Sequence, residues 1–191
     1  MTYAVKEVFY TLQGEGAQAG RPAVFCRFIG CNLWTGLEAD RPNAVCQFCD
    51  TDFVLPALPS GGTFESAEDL ANRIDAAWAQ GSSRSTHRYV VFTGGEPALQ
   101  LDDTLVSAMH RLGFEVAIET NGTRPLASAI DWVCVSPKAG TELKVTHGNE
   151  LKLVYPQTGL DPKEFESRTF EHFYLQPMDG TSVGANTEAA I

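Results

Sequence analysis

A short apolar run that stops abruptly at small or polar residues recurs down the second half of the chain, and no other feature restricts the fold as much. Residues 89–92 run into Thr93-Gly94-Gly95-Glu96, residues 116–118 into Glu119-Thr120-Asn121-Gly122, residues 132–135 into Ser136-Pro137-Lys138, and residues 173–175 into Gln176-Pro177. Residues 151–154 form one more such run, and residues 5–11 and 23–29 read as two further strands. Apolar runs without polar alternation are the pattern of parallel strands buried on both faces. Between them, Ser66 with Asp69 three positions later resembles a capping box ahead of Leu70, Ala71, Ile74, Ala77 and Trp78 at helical spacing. Leu101, Leu105, Ala108 and Leu112 predict a second helix, with Asp102 and Asp103 in its first turn and Gly113 as its stop. Asp161 with Pro162 predicts the start of a third. The alternation predicts an α/β chain with a parallel sheet, whose chemistry sits at the C-terminal ends of the strands.

The 191 residues read as one domain spanning the whole sequence. With 14 Lys plus Arg against 24 Asp plus Glu, the net charge of −10 argues against a phosphate-tracking surface, so no nucleic-acid partner is expected. No apolar stretch reaches the roughly 18 residues of a spanning helix and the N-terminus lacks secretory-signal features, so no membrane association and a cytoplasmic location are expected.

Residues 30–64 show little periodicity and hold three of the five cysteines, which predicts a loop organised by something other than an apolar core. Cys31, Cys46 and Cys49 are separated by fourteen and two residues. A two-residue gap turns both thiolates of a pair toward one centre, and the long arm returns a third. Three thiolates can hold three irons of a 4Fe-4S cluster and leave the fourth open. The competing reading adds Cys26 to make a four-cysteine structural zinc site in a small zinc-stabilised binding module. Cys26 lies within an apolar strand beside Val24 and Phe28, and Cys134 lies within Trp132-Val133-Cys134-Val135; both read as core thiols. On the cysteines alone, cluster and zinc stand level.

Thr93-Gly94-Gly95-Glu96-Pro97 at the end of an apolar strand separates them, because with a three-cysteine loop upstream it resembles the radical S-adenosylmethionine (SAM) superfamily. The fourteen-residue first gap departs from the usual superfamily spacing and narrows the resemblance. Residues 9–16, 25–28, Gly30-Cys31-Asn32-Leu33, Cys49-Asp50-Thr51, residues 93–97 and 119–122, Ser136-Pro137-Lys138 and Leu175-Gln176-Pro177-Met178 together resemble the 7-carboxy-7-deazaguanine synthase family. The resemblance implies an incomplete parallel β/α barrel with a long cluster-binding loop at about residues 30–64. It also implies conversion of 6-carboxy-5,6,7,8-tetrahydropterin to 7-carboxy-7-deazaguanine with loss of ammonia, on the route to queuosine. The resemblance further implies reduction of the cluster, homolysis of SAM and hydrogen abstraction from the pterin C6.

Carried over by position, the resemblance makes Cys31, Cys46 and Cys49 ligands of a 4Fe-4S cluster. It makes Phe48, Asp50, Gly95, Glu96, Ser136, Pro137, Lys138, Gln176, Pro177, Met178 and Asp179 contacts of SAM. Leu12, Gln13, Gly14, Arg27 and Thr93 become substrate contacts, and Thr51 a Mg2+ ligand. An electron donor such as flavodoxin and a homodimer are implied as partners. Arg27 in an apolar strand is costly to bury unpaired, so either a bidentate fork for the pterin carboxylate or an ion pair with Glu15 or Asp50 is expected. Thr51 outside this context is a turn residue, and Lys138 after Ser-Pro a surface charge. His87, His110, His147 and His172 fit no ligand spacing and are assigned to structure. Family members continue past Gln-Pro-Met with a helix and a last strand, whereas this sequence stops at Ile191 as a helix over 186–191 begins, so an exposed final strand is expected.

Overall fold

A computed structural model of the chain describes residues 1–81 and 87–191. The predicted runs form one eight-stranded sheet. Its strands are β1 (Tyr3–Leu12), β2 (Pro22–Phe28), β3 (Gly62–Phe64), β4 (Arg88–Gly94), β5 (Phe114–Thr120), β6 (Trp132–Val135), β7 (His147–Tyr155) and β8 (Thr169–Pro177), in the order β3-β1-β2-β4-β5-β6-β7-β8. From β2 to β8 every pairing is parallel, while β1 runs antiparallel to both β2 and β3. β3 and β8 are not hydrogen-bonded to each other, so the barrel is open.

Helices α1 (Ala67–Gly81) and α2 (Asp103–Arg111) cover the convex side. The Ser66 hydroxyl accepts from the Asp69 amide at 3.1 Å and starts α1, and the Asp102 carboxylate caps α2 by accepting from Leu105 N at 2.9 Å. Leu70, Ile74 and Leu105 are fully buried there against Val24, Cys26, Phe28, Val90 and Phe92, each large side chain contributing about 1.5–3 kcal/mol of apolar burial. The alternate residues of the same strands face the concave side, where Ala23, Tyr89, Val91 and Ala117 make a small apolar plug flanked by Phe25 and Trp132. Arg21 closes the plug from below, stacked 3.8 Å over the Tyr89 ring and paired twice with Glu115, at 2.9 and 2.6 Å.

The third expected helix is a single 3-10 turn, Pro162–Phe165. Its capping box of Asp161 and Glu164 is in place, but no apolar periodicity follows Phe165 and the chain enters β8 at Thr169. α3 (Val183–Ala190) follows β8. Among the described residues β8 is the outer strand on its side of the sheet, and its Phe173, Tyr174 and Leu175 are exposed. Among the described residues no helix is long and apolar enough to cross a membrane.

Candidate active site

Above the apolar plug the concave side opens into a cavity of about 960 Å³, lined from every strand of the sheet except β3. Cys31, Cys46 and Cys49 all line it, as do Leu12, Gln13, Gly14, Arg27, Phe48, Asp50, Thr51, Thr93, Gly95, Ser136, Lys138, Gln176, Pro177, Met178 and Asp179. Of the residues singled out from sequence, only Glu96 and Pro137 do not reach it.

The long loop is held by side chains rather than by regular structure. The Arg41 guanidinium stacks 4.0 Å over Trp34, pairs with Glu38, and donates to Gln47 O at 2.8 Å and Cys49 O at 3.0 Å, which fixes the turn between the paired cysteines. Trp34 packs edge-on against Phe53. At the far end, Lys6, buried within β1, donates to Val54 O at 2.8 Å and Pro56 O at 3.0 Å and pairs with Asp52.

The glycine pair explains how the Thr93–Pro97 turn meets this loop. A Cβ on Gly95 would lie 2.0 Å from Gly30 O, and one on Gly94, at φ +121°, 2.3 Å from Phe28 O. Without side chains there, Glu96 N reaches Gly30 O at 2.9 Å and the turn lies flat against the backbone beside Cys31. Glu96 itself is fully buried and accepts from Thr120 Oγ1 at 2.7 Å, Asn121 N at 2.8 Å and Ala98 N at 2.9 Å. Its carboxylate therefore braces the ends of β4 and β5. Burial pushes its pKa up, against the pull of these donors and of Lys138. Asn121 passes the brace on by donating to Asn32 Oδ1 at 3.1 Å, next to Cys31.

Cys46 and Cys49 are in hydrogen-bonding contact. That contact pulls the Cys49 thiol down to about 6 and, with burial, pushes Cys46 up, so Cys49 gives up its proton first; burial raises Cys31. Three thiols facing one cavity are a donor set that fits a cluster with one iron left open. Cys26 is buried on the opposite, convex side and does not line the cavity. The four-cysteine zinc site is thus not formed. Lys138 is not a surface charge: burial lowers its pKa against the pull of Cys46, Cys49 and Glu96, and its ammonium donates to Ser136 O at 2.8 Å and Ser136 Oγ at 2.6 Å, 5.8 Å from the Phe48 ring.

Arg27 pairs through Nε with Glu7 Oε1 at 2.9 Å, its register partner on β1, and not with Glu15 or Asp50. Gln13 donates to Glu119 Oε1 at 2.9 Å and accepts from Glu15 N at 3.2 Å. Lys152, Glu119, Cys134 and Glu15 are among the residues that escaped the sequence reading as site residues. Lys152, buried in β7, lines the cavity and pairs with Glu15 at 2.7 Å and Glu119 at 3.5 Å. Glu119 lines it as well. Cys134 is buried, as expected, but on the concave side, 3.5 Å from Glu150 Oε1 and facing the cavity, not in the apolar core. Applied to Lys152, the reasoning that singled out a charge in an apolar strand at Arg27 would have found it. Of the histidines, His110 pairs with Asp131 and His172 stacks on Trp132, both structural roles.

Residues 40–154 match the radical SAM superfamily. The chain is 58% identical over its full length to the 7-carboxy-7-deazaguanine synthase of Bradyrhizobium diazoefficiens and 59% identical to that of Burkholderia multivorans, covering 90% of each relative. It is 62% identical over 180 residues to that of Nitratidesulfovibrio vulgaris, a match spanning 94% of this chain and 83% of the relative. The crystal structure of QueE from Escherichia coli superposes with a TM-score of 0.71 at 27% identity, covering 100% of this chain and 88% of that one. With the cysteine loop, the Gly-Gly-Glu turn and the open parallel sheet in one arrangement, the chain belongs to the 7-carboxy-7-deazaguanine synthase family of radical SAM enzymes.

Proposed function

We propose that this protein converts 6-carboxy-5,6,7,8-tetrahydropterin to 7-carboxy-7-deazaguanine and ammonia, a step of queuosine biosynthesis. The observation that carries the reading is that the cluster cysteines, the SAM-contact residues other than Glu96 and Pro137, and the substrate-contact residues all face one cavity. Substrate and product differ by one ammonia, so the conversion is redox-neutral and needs no stoichiometric oxidant. Cys31, Cys46 and Cys49 would hold the 4Fe-4S cluster, which with SAM would supply radical hydrogen-abstraction chemistry.

The chain's own residues position and exclude. Phe48, Asp50, Gly95, Ser136, Lys138 and the Gln176–Asp179 segment contact SAM, and Phe48 and Lys138 wall its side of the cavity. Arg27 takes the pterin carboxylate on its terminal nitrogens, while Glu7 holds Nε and fixes the plane of the fork. Leu12, Gln13, Gly14 and Thr93 line the rest of the substrate. Thr51 would hold Mg2+ through its hard hydroxyl oxygen, together with oxygens of the substrate. A low-potential donor such as flavodoxin supplies the electron, and with no spanning helix among the described residues and a net charge of −10 the enzyme works in the cytoplasm, free of nucleic acid.

The test is anaerobic reconstitution followed by incubation with reductant, SAM, Mg2+ and the pterin. The expected protein is brown with about four irons per chain, and it yields 7-carboxy-7-deazaguanine together with ammonia. Iron-loaded protein that cleaves SAM but leaves the pterin intact would overturn the assignment of substrate.

A further inference from the structure

The segment between β1 and β2 crosses the concave side and forms the floor of the cavity. Gln13 is tied to Glu119 on β5, Glu15 to Lys152 on β7, and Ala17 N donates to Glu150 Oε2 at 3.0 Å, also on β7. Gly16 permits this: at φ +67° it lies so close that a Cβ would meet the Glu150 carboxylate at 2.0 Å. Lys152 is the centre of the arrangement, one buried ammonium between two carboxylates. Burial alone would lower its pKa, and Glu119, Cys134 and Glu15 outweigh burial and raise it, so the cation is held in place.

One oxygen of each carboxylate is engaged, Glu119 Oε1 by Gln13 and Lys152 and Glu15 Oε2 by Lys152, while Glu119 Oε2 and Glu15 Oε1 have no hydrogen-bond partner among the described residues. Both residues line the cavity, and two carboxylates against one ammonium leave an excess negative charge on this wall. Arg27, on β2, supplies the positive wall. A ligand with a carboxylate at one end and adjacent N–H donors at the other fits in one orientation only. Resting on the pterin reading above, we propose that Lys152 is a positioning residue for substrate selection: it clamps Glu15 and Glu119 so that their free oxygens accept from the N–H groups of the 2-amino-pyrimidinone edge, opposite Arg27.

The test uses reconstituted, iron-loaded enzyme and calorimetric binding of three probes: the pterin substrate, an analogue with oxygen in place of its 2-amino group, and SAM. The parent is expected to prefer the amino compound by about tenfold or more. Lys152→Met is expected to lose about tenfold or more in substrate affinity, to bind substrate and analogue alike, and to hold SAM within about twofold; Lys152→Arg is expected to restore most of the preference. A Lys152→Met enzyme that keeps both affinity and preference within about twofold overturns the proposal, and so does parallel loss of substrate and SAM binding. If Lys152→Met does not retain iron, Glu15→Gln, whose side chain is half-exposed, carries the test: about threefold weaker substrate binding is expected, and unchanged binding overturns the proposal. Hydrogen exchange of the peptide over residues 13–21 is expected to quicken in Lys152→Met without ligand, and unchanged exchange overturns the clamp. Parent enzyme that binds neither pterin compound would instead strike the substrate reading, a result read on the parent alone.

Discussion

Replacing Glu96 separates two roles that one carboxylate in a Gly-Gly-Glu turn can play. As a direct ligand of the SAM amino group it would face the cavity; in this structure it is fully buried and feeds three donors from neighbouring segments. Glu96→Gln keeps one acceptor oxygen, enough for Thr120 and Ala98 on the Oε1 side, and turns an NH2 toward the Asn121 amide that Oε2 now serves. One buried N–H left unpaired costs about 1–3 kcal/mol, and at about 2–4 °C per kcal/mol for a chain of this size the unfolding midpoint is expected to fall by about 2–12 °C. Glu96→Ala strips both amides and is expected to cost about 2–6 kcal/mol, since the Thr120 hydroxyl can turn elsewhere. Because Asn121 holds Asn32 beside Cys31, iron content is expected to drop in the same order. Thermal unfolding, iron analysis and SAM calorimetry on both variants decide the matter. If Glu96→Gln keeps its midpoint and iron but loses SAM affinity tenfold, the bracing role is wrong and the carboxylate binds SAM directly.

Cys31→Ala, Cys46→Ala and Cys49→Ala are each expected to abolish cluster assembly, whereas Cys26→Ala, on the convex side, leaves iron near four per chain; equal iron loss in Cys26→Ala with the fold intact would contradict the ligand set. Cys134→Ala also retains the cluster, and, since the thiol faces the cavity floor, any deficit is expected in substrate binding. Arg27→Lys keeps the charge but cannot hold Glu7 and present a fork at once, so about tenfold loss of pterin affinity is expected with SAM affinity unchanged; equal loss of both would make Arg27 structural. Thr51→Ala is expected to lose most Mg2+ stimulation of turnover at full iron content, and stimulation that survives places the ion elsewhere.

All seven strands longer than three residues were legible, because continuous apolar runs of a sheet buried on both faces leave little choice of element. β3 was not, since Gly62-Thr63-Phe64 carries no period of its own and becomes a strand only by pairing with Tyr3, Ala4 and Val5. The start of the 3-10 turn at Pro162 was readable from its cap, and its shortness from the absence of apolar periodicity after Phe165, a signal that the cap alone does not carry. In the site, chain-local motifs placed the cysteines and the glycine turn, whereas partners across the sheet were invisible: Arg27 finds Glu7, twenty positions away, and Lys152 finds Glu15, 137 away. The burial of Glu96 and its three donors were invisible for a related reason. A motif tells which residue stands at a turn and not which distant donors its side chain meets.

The crossing segment that floors the cavity also orders the molecule in time. Its bonds span 106 to 137 positions, whereas the Arg41 contacts that shape the cysteine loop span three to eight. Short loops close first and distant pairings wait for the sheet between them. On a ribosome adding about 5–20 residues per second, the thiols can be arranged well before Lys152 emerges. The cysteine loop can therefore take its local shape while the cavity still has no floor, and the two are joined only when β7 docks.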